Sequence, residues 1–331
     1  MKVEETVGID VGKLTLEVRI QSNQKSREFS NTKSDIKKMT RWVEENVASS
    51  KNEILFAFEH TGLYSQPLSI YLTENEYSYI MVPGLEIKRS LGIARGKTDV
   101  IDAKKIALYA YRRKEEITPY SLEAKEITEI KKLLSLREKL VSQRSGYKAT
   151  LGEYTSFLSR KDNALLFSVH EKMIKELTKQ INKIEMNLDE IIKANDKLKK
   201  QFDLITTIKG VGPQTALFII AFTDGFNRFD SWRKFASYCG IAPFPHTSGT
   251  SIRGKTKVSN LANKKLKSLL DMCAKSAIRS NQEMKIFYER RITLGKSKMS
   301  TINIIRNKLL SRIFAVINRQ TPYVNTLAYC A

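Results

Sequence analysis

Five apolar residues in a row, Ile54-Leu55-Phe56-Ala57-Phe58, closed by Glu59, set the strongest constraint on what this chain can fold into. A run so short and so uniformly apolar reads as a strand buried on both faces. Such a strand needs covering layers above and below, and the neighbouring residues supply them. Residues 7–11, 14–20 and 27–30 read as consecutive strands with short polar turns. Ser34-Asp35 is expected to cap a helix ending near Val47, with Ile36, Met39, Trp42 and Val43 on its apolar face. Residues 64–72 read as a helix in which Tyr64 packs inward, residues 78–82 as a strand, and residues 99–113 as a helix.

The resulting order, β-β-β-α-β-α-β-α over residues 1–117, is that of a ribonuclease H-like α/β domain. Four carboxylates fall at telling places in it. Asp10 lies in Val7-Gly8-Ile9-Asp10-Val11-Gly12, Glu59 closes the apolar run, and Asp99 and Asp102 stand in Lys97-Thr98-Asp99-Val100-Ile101-Asp102-Ala103. Two acids at strand ends and two on one helix face form an oxygen-only set suited to Mg²⁺, with Mn²⁺ as a substitute. Taken singly, each has a plainer reading: Asp99 and Asp102 suit the first turn of any helix, and Asp10 can simply begin a turn. Glu59 is harder to dismiss, because an acid at a buried strand end needs a partner.

Fifty-seven Lys and Arg against thirty-five Asp and Glu leave a net charge of +22 in 331 residues. A surplus of that size points to a polyanion. The opening residues carry no signal-peptide pattern, and the longest apolar run, residues 216–222, is too short to span a bilayer, so nucleic acid is the expected partner and a membrane is not. Cys239, Cys273 and Cys330 are scattered, which argues against disulfides and zinc and fits a reducing cytoplasm.

From residue 118 to 200 the chain becomes long, charged and helical. Leu177, Ile184, Ile191 and Leu198 recur every seven residues, interleaved with Ile181 and Leu188. That is a coiled-coil seam, facing an earlier helix over about residues 124–158. An exposed seam would make a dimerisation arm; a seam buried within the chain would make a two-helix spacer. A third, mostly helical region runs from 201 to 331, giving a chain of α/β plus α class. Gly210-Val211-Gly212-Pro213 before an apolar helix reads as a helix-hairpin-helix turn offering backbone N–H groups to phosphate, or as an ordinary tight turn. A polar loop over residues 246–254 follows, then a basic tail. Residues 250–320 hold seventeen Lys and Arg against three Asp and Glu, an imbalance that favours phosphate contact.

Read together, these stretches resemble the insertion sequence 110 family of transposases and recombinases, related to Piv-type DNA invertases. The resemblance rests on Gly8-Ile9-Asp10, Glu59-His60-Thr61-Gly62-Leu63-Tyr64, Lys97 to Ala103, Gly210 to Pro213, Tyr238-Cys239-Gly240-Ile241-Ala242-Pro243 and Ser248-Gly249-Thr250-Ser251-Ile252-Arg253-Gly254, all in order. One departure is Asn260 and Ala262-Asn263, where a basic-Gly-Asn pattern is usual. The resemblance implies a RuvC-like domain with a tetrad of Asp10, Glu59, Asp99 and Asp102, a coiled-coil segment, and a transposase domain whose nucleophile is Ser248. It implies a bacterial, nucleoid-associated enzyme acting on double-stranded DNA as a homo-oligomer, a dimer or a tetramer when DNA ends are synapsed. A structured guide RNA from its own element is also implied.

The chemistry is coherent. A serine hydroxyl is a poor nucleophile until a base or metal activates it, and a carboxylate-held cation can do so. Arg253, Lys255 and Lys257, with Lys264 and Lys265 beyond, are placed to meet phosphate charge. Without the resemblance, Ser248-Gly249-Thr250-Ser251 would read as a flexible loop. The same acids would then serve a nuclease using water, or the basic tail a binding scaffold without catalysis.

Overall fold

The computed structural model describes residues 2–90, 98–117, 119–120, 122–248 and 252–324, with the backbone alone described for residues 246–248, 252, 253 and 255. The chain divides into two units, residues 1–122 and 123–331.

In the first unit, β1 (Glu5–Val11), β2 (Thr15–Ile20) and β3 (Ser26–Ser30) form an antiparallel meander. Next come α1 (Lys33–Asn46), β4 (Ile54–Glu59), α2 (Gln66–Glu74), β5 (Ser78–Val82), α3 (Gly84–Ser90) and α4 (Asp99–Arg112). The sheet order is β3-β2-β1-β4-β5, with β4 parallel to both its neighbours. Alternation sorts the side chains. Val7, Ile9, Leu16, Val18, Phe56 and Phe58 meet α1 and α2 on one face, while Leu55, Ala57, Ile80 and Val82 meet Ile87, Ile106 and Ala110 of α3 and α4 on the other. Two local details differ from expectation. The cap of α1 is Thr32, whose hydroxyl accepts from Asp35 N, because it stands one residue before the helix with extended backbone. Helix α3 was not expected at all; its seven residues are too few to show a period.

The placement of α4 turns on Gly8. A Cβ there would overlap Ala103 O and Ala107 N, so the helix backbone lies directly on the strand. Thr6 Oγ1 adds a 3.3 Å hydrogen bond to Ala107 O. Since residue 107 faces Thr6 and residue 103 faces Gly8, α4 runs back along β1 and delivers its first turn toward Asp10.

The second unit opens with two long antiparallel helices, α5 (Lys125–Phe157) and α6 (Ala164–Ala194). They pair along their length: Arg137 Nε donates to Glu185 at 2.8 Å, Arg144 reaches Thr178 Oγ1 at 3.3 Å, and Tyr154 meets Phe167 near the tip. The seam is therefore internal. Leu177, Ile181, Ile184 and Leu188 are buried, which corrects the exposed-arm reading in favour of a spacer. The seam also ends differently. Ile192, not Ile191, is the buried residue, as a straight helix drifts from a strict seven-residue repeat. Leu198 lies beyond a break at Asn195, which caps α6 and also starts α7 (Asp196–Thr206), its side chain accepting from Leu198 N.

At the base of this pair, Ile127, Ile130, Leu134, Leu188 and Ile192 join one core with α7, α8 (Pro213–Thr223), α9 (Trp232–Tyr238), α10 (Lys264–Ser280), α11 (Gln282–Thr293) and α12 (Lys298–Arg319). Helix α8 is apolar all round and accordingly surrounded. The expected polar loop is instead a two-stranded ribbon, β6 (Pro243–Ser248) and β7 (Ile252–Val258). Cys239 and Cys273 are free and buried; burial pushes the Cys239 thiol up to about 12, so it is inert. Cys330 lies outside the described residues. Among the described residues no helix is long and apolar enough to cross a membrane.

Two outcomes follow from this packing. Gly8→Ala should destabilise the protein by about 1–3 kcal/mol in chemical denaturation, because the added methyl forces backbone apart rather than a side chain. An unchanged midpoint would mean that α4 does not rest on β1. Leu188→Ala should cost about 2–5 kcal/mol equally at low and high protein concentration; a cost that fades on dilution would place the seam between chains.

Candidate active site

The carbonyl ends of the parallel strands β1 and β4 carry the first two acids, and α4 brings the others. Thr98 caps α4 by accepting from Ile101 N at 3.3 Å, which fixes Asp99 and Asp102 in the first turn. Glu59 ends β4 opposite Val82 of β5. Its carboxylate occupies the space where a side chain at residue 84 would stand, so Gly84 is what lets β5 turn into α3 beside it. Asn31 ties the surrounding loops together by donating to Gly12 O at 3.0 Å and Tyr64 O at 2.9 Å. Tyr64 itself, expected to pack inward, is 45% exposed, because the helix begins only at Gln66 and leaves it on the preceding turn.

All four acids act on one another. Burial, followed by the charges of Asp99, Asp102 and Glu59, pushes the Asp10 carboxyl up to about 6, against a smaller downward pull from Val11 N–H. Asp102 has a partial counter-charge in Lys105, 2.8 Å away on the next turn of α4. A fifth acid belongs to this field and was missed in the sequence. Glu17 of β2 is paired with Asp10, is buried, and has its carboxyl raised by burial, then by Glu28, Asp99 and Asp10. Its signal was present: closing the hairpin over residues 12–14 puts residue 17 opposite residue 10.

The set is convergent but open. Among the described residues no three His, Cys, Asp or Glu side chains are gathered closely enough to hold a metal ion. The chemistry of the donors nonetheless fits a hard divalent cation, since carboxylate oxygens are its preferred ligands. The mutual repulsion centred on Asp10 is what such a charge would offset.

In the second unit, Ser248 ends β6 and pairs with Ile252 across the ribbon, while Gly249, Thr250 and Ser251 lie outside the described residues. The side chains of Ser248, Arg253 and Lys255 are likewise outside the description; Lys257 is exposed. The lead into β6 is anchored twice. Asn303 and Asn307 donate to Ile241 O at 2.9 and 3.1 Å, and Asn263 N donates to Tyr238 O at 2.9 Å. Asn263 also caps α10, so the residues that depart from the usual family pattern still make the turn.

Not all the predicted phosphate contacts are free. Lys265 pairs with Glu138 of α5, whereas Lys264 is exposed. Arg306, almost fully buried, pairs with Asp271, and Arg312 with Glu283. Part of the basic tail therefore ties helices together. Gly210 packs against Ala277 of α10, and Gly212 N–H is directed to the Cys273 thiol, which also bonds Thr215 Oγ1 at 3.2 Å.

The raised Asp10 carboxyl yields a signed expectation. In the folded, metal-free protein the proton is held up to about pH 6, while in the unfolded chain it leaves near pH 4. Ionised Asp10 thus costs stability, with no cost below about pH 4 and the full cost above about pH 6. Asp10→Asn should stabilise the metal-free protein at pH 7.5 by about 1–2 kcal/mol, allowing for solvent screening, and the gain should vanish by about pH 4. Thermal melting against pH checks this; a pH-independent gain would mean that Asp10 is not the strained charge.

Comparison with known proteins is consistent with this arrangement. A DEDD transposase family model matches residues 7–155. A second model, described as transposase IS116/IS110/IS902 family, matches residues 202–289. The pilin gene-inverting proteins of Moraxella bovis and Moraxella lacunata are 28% and 27% identical, with 96% of this chain and 97% of each relative aligned. A protein of insertion element IS110 from Streptomyces coelicolor is 27% identical over 36% of this chain and 29% of its own length. A DEDD domain of this kind implies dependence on a divalent metal, and a transposase implies DNA binding. With acids that gather as such a domain requires, matches in both units and relatives aligned almost end to end, the chain belongs to the IS110 family and is a DNA transposase/recombinase.

Proposed function

We propose that the protein cuts and rejoins double-stranded DNA through a serine-linked intermediate, moving its own element. The observation that carries this reading is the convergence of Glu59, Asp99 and Asp102, from separate stretches of sequence, on Asp10. These acids would hold Mg²⁺, with Mn²⁺ as a substitute. Bound there, the cation supplies charge to polarise a scissile phosphate and to stabilise the leaving oxygen.

The remaining roles fall to the chain's own residues. Ser248 Oγ attacks phosphorus and gives up its proton to a base; the bond from phosphorus to the 3′ oxygen breaks, and that oxygen leaves as a hydroxyl. A different 3′ hydroxyl then attacks the serine phosphodiester, which joins the new strand and returns the serine. No free double-strand break is needed. The acids and Ser248 belong to different units, so this reading requires both units to act on one phosphate. Arg253, Lys255, Lys257 and Lys264 would neutralise phosphate charge. The basic excess of residues 250–320 supports a nucleic-acid partner. A structured guide RNA and a homo-oligomer, dimeric or tetrameric, complete the reading on the strength of the resemblance. The two Moraxella relatives, named for inverting a pilin gene, support recombination rather than hydrolysis.

The test is a strand-transfer assay with Mg²⁺, the element's flanking RNA and labelled donor and target DNA. Wild type should give a protein-linked DNA band that Ser248→Ala and Asp102→Ala each reduce by at least about a hundredfold. Cleavage that survives Ser248→Ala but needs Asp102 would identify a water-using nuclease instead.

A further inference from the structure

The row of acids on the α4-facing side of the sheet is longer than the family's four. Glu17 of β2 pairs with Asp10, and Glu28 of β3 pairs with Glu17. Directly paired residues project from the same face of a sheet. On the other flank of β1, Glu59 stands one step beyond the Ile9–Phe58 pair. Asp10 thus has a glutamate on each side, and only one of them is in the family tetrad.

Glu17 is 8% exposed, far more buried than the solvent-facing Glu28. It makes no hydrogen bond or ion pair among the described residues, although burial of a carboxylate without a partner is costly. The nearby cations are engaged elsewhere. Arg19, two residues along β2 on the same face, donates to Ser26 Oγ at 3.0 Å and Gln24 Oε1 at 3.1 Å. Lys105 is held by Asp102. What does lie near Glu17 is more negative charge, from Asp99 and Asp10 as well as Glu28. A buried, unpaired acid aimed into a group of other acids has the chemistry of a cation ligand and no evident structural purpose.

We infer that Glu17 is a fifth carboxylate of the divalent-cation site, serving together with Asp10 and Asp99 on the side of Asp10 opposite Glu59. This rests on the metal-dependent reading above. The glutamate's extra methylene gives it reach across the strand spacing, while Glu28, open to water, stays outside the site.

The test uses the full chain without nucleic acid, titrated with Mn²⁺ while free Mn²⁺ is followed by electron paramagnetic resonance. Glu17→Gln, Glu28→Gln and Asp10→Asn are compared with wild type, each variant also melted in the absence of metal. Glu17→Gln should fold, melt higher than wild type without metal, and bind Mn²⁺ about tenfold more weakly. Glu28→Gln should bind within about twofold of wild type, since its charge is solvated. Wild-type affinity in Glu17→Gln would overturn this inference and leave the four-acid site standing. An equal loss in Glu28→Gln would reduce Glu17 to part of a general negative field and also overturn it. A wild-type protein without saturable Mn²⁺ binding, or Asp10→Asn binding as well as wild type, would overturn both readings.

Discussion

The contact between β1 and α4 is the one on which the site depends. Because Gly8 has no side chain, helix backbone meets strand backbone, and the acids at the head of α4 are carried to the acid at the end of β1. A larger residue would hold the helix off by the thickness of a methyl group, a distance comparable with the tolerance of a catalytic site. The same contact explains why like charges persist together. The apolar faces of β1, β4 and α4 are buried regardless, and their burial offsets repulsion that none of the acids could sustain alone. Strain of this kind is expected at functional sites and rarely elsewhere.

In the second unit, charge does two different jobs. The net excess of residues 250–320 marks a polyanion binder, yet Arg306 and Arg312 are enclosed and bonded to carboxylates. Arginine tolerates such enclosure because its planar fork can share several hydrogen bonds. Lysines at exposed positions such as Lys257 and Lys264 remain for an external anion. A count of basic residues therefore overstates the interface, and the helix-tying subset is separated only by the fold.

Much of this was legible beforehand, and the failures have physical causes. The strands of the first unit were readable because alternation and continuous apolar runs are local signals, and Thr98 before Asp99 announced α4. Glu17 was not, because on an amphipathic strand a polar residue facing away from the main core looks solvated; only register shows that α4 covers it. The ribbon at Ser248 was hidden by composition, since Gly, Thr and Ser in residues 246–254 carry turn propensity and the pairing that orders them is between strands. The seam of α6 was visible as a period, but a period does not say whether the partner is the same chain. Asn195 had no signal until its two helices were seen to share it.

That shared asparagine has a consequence for how the second unit can vary. Everything beyond Leu134 and Ile184 in the α5–α6 pair repeats one packing pattern without contributing to the helical core at its base. Adding or removing two turns in both helices would lengthen or shorten the projection while leaving Asn195 and α8 where they are. The pair is thus a ruler with graduations of about 10 Å, and its length is free to follow the span of whatever the protein must bridge.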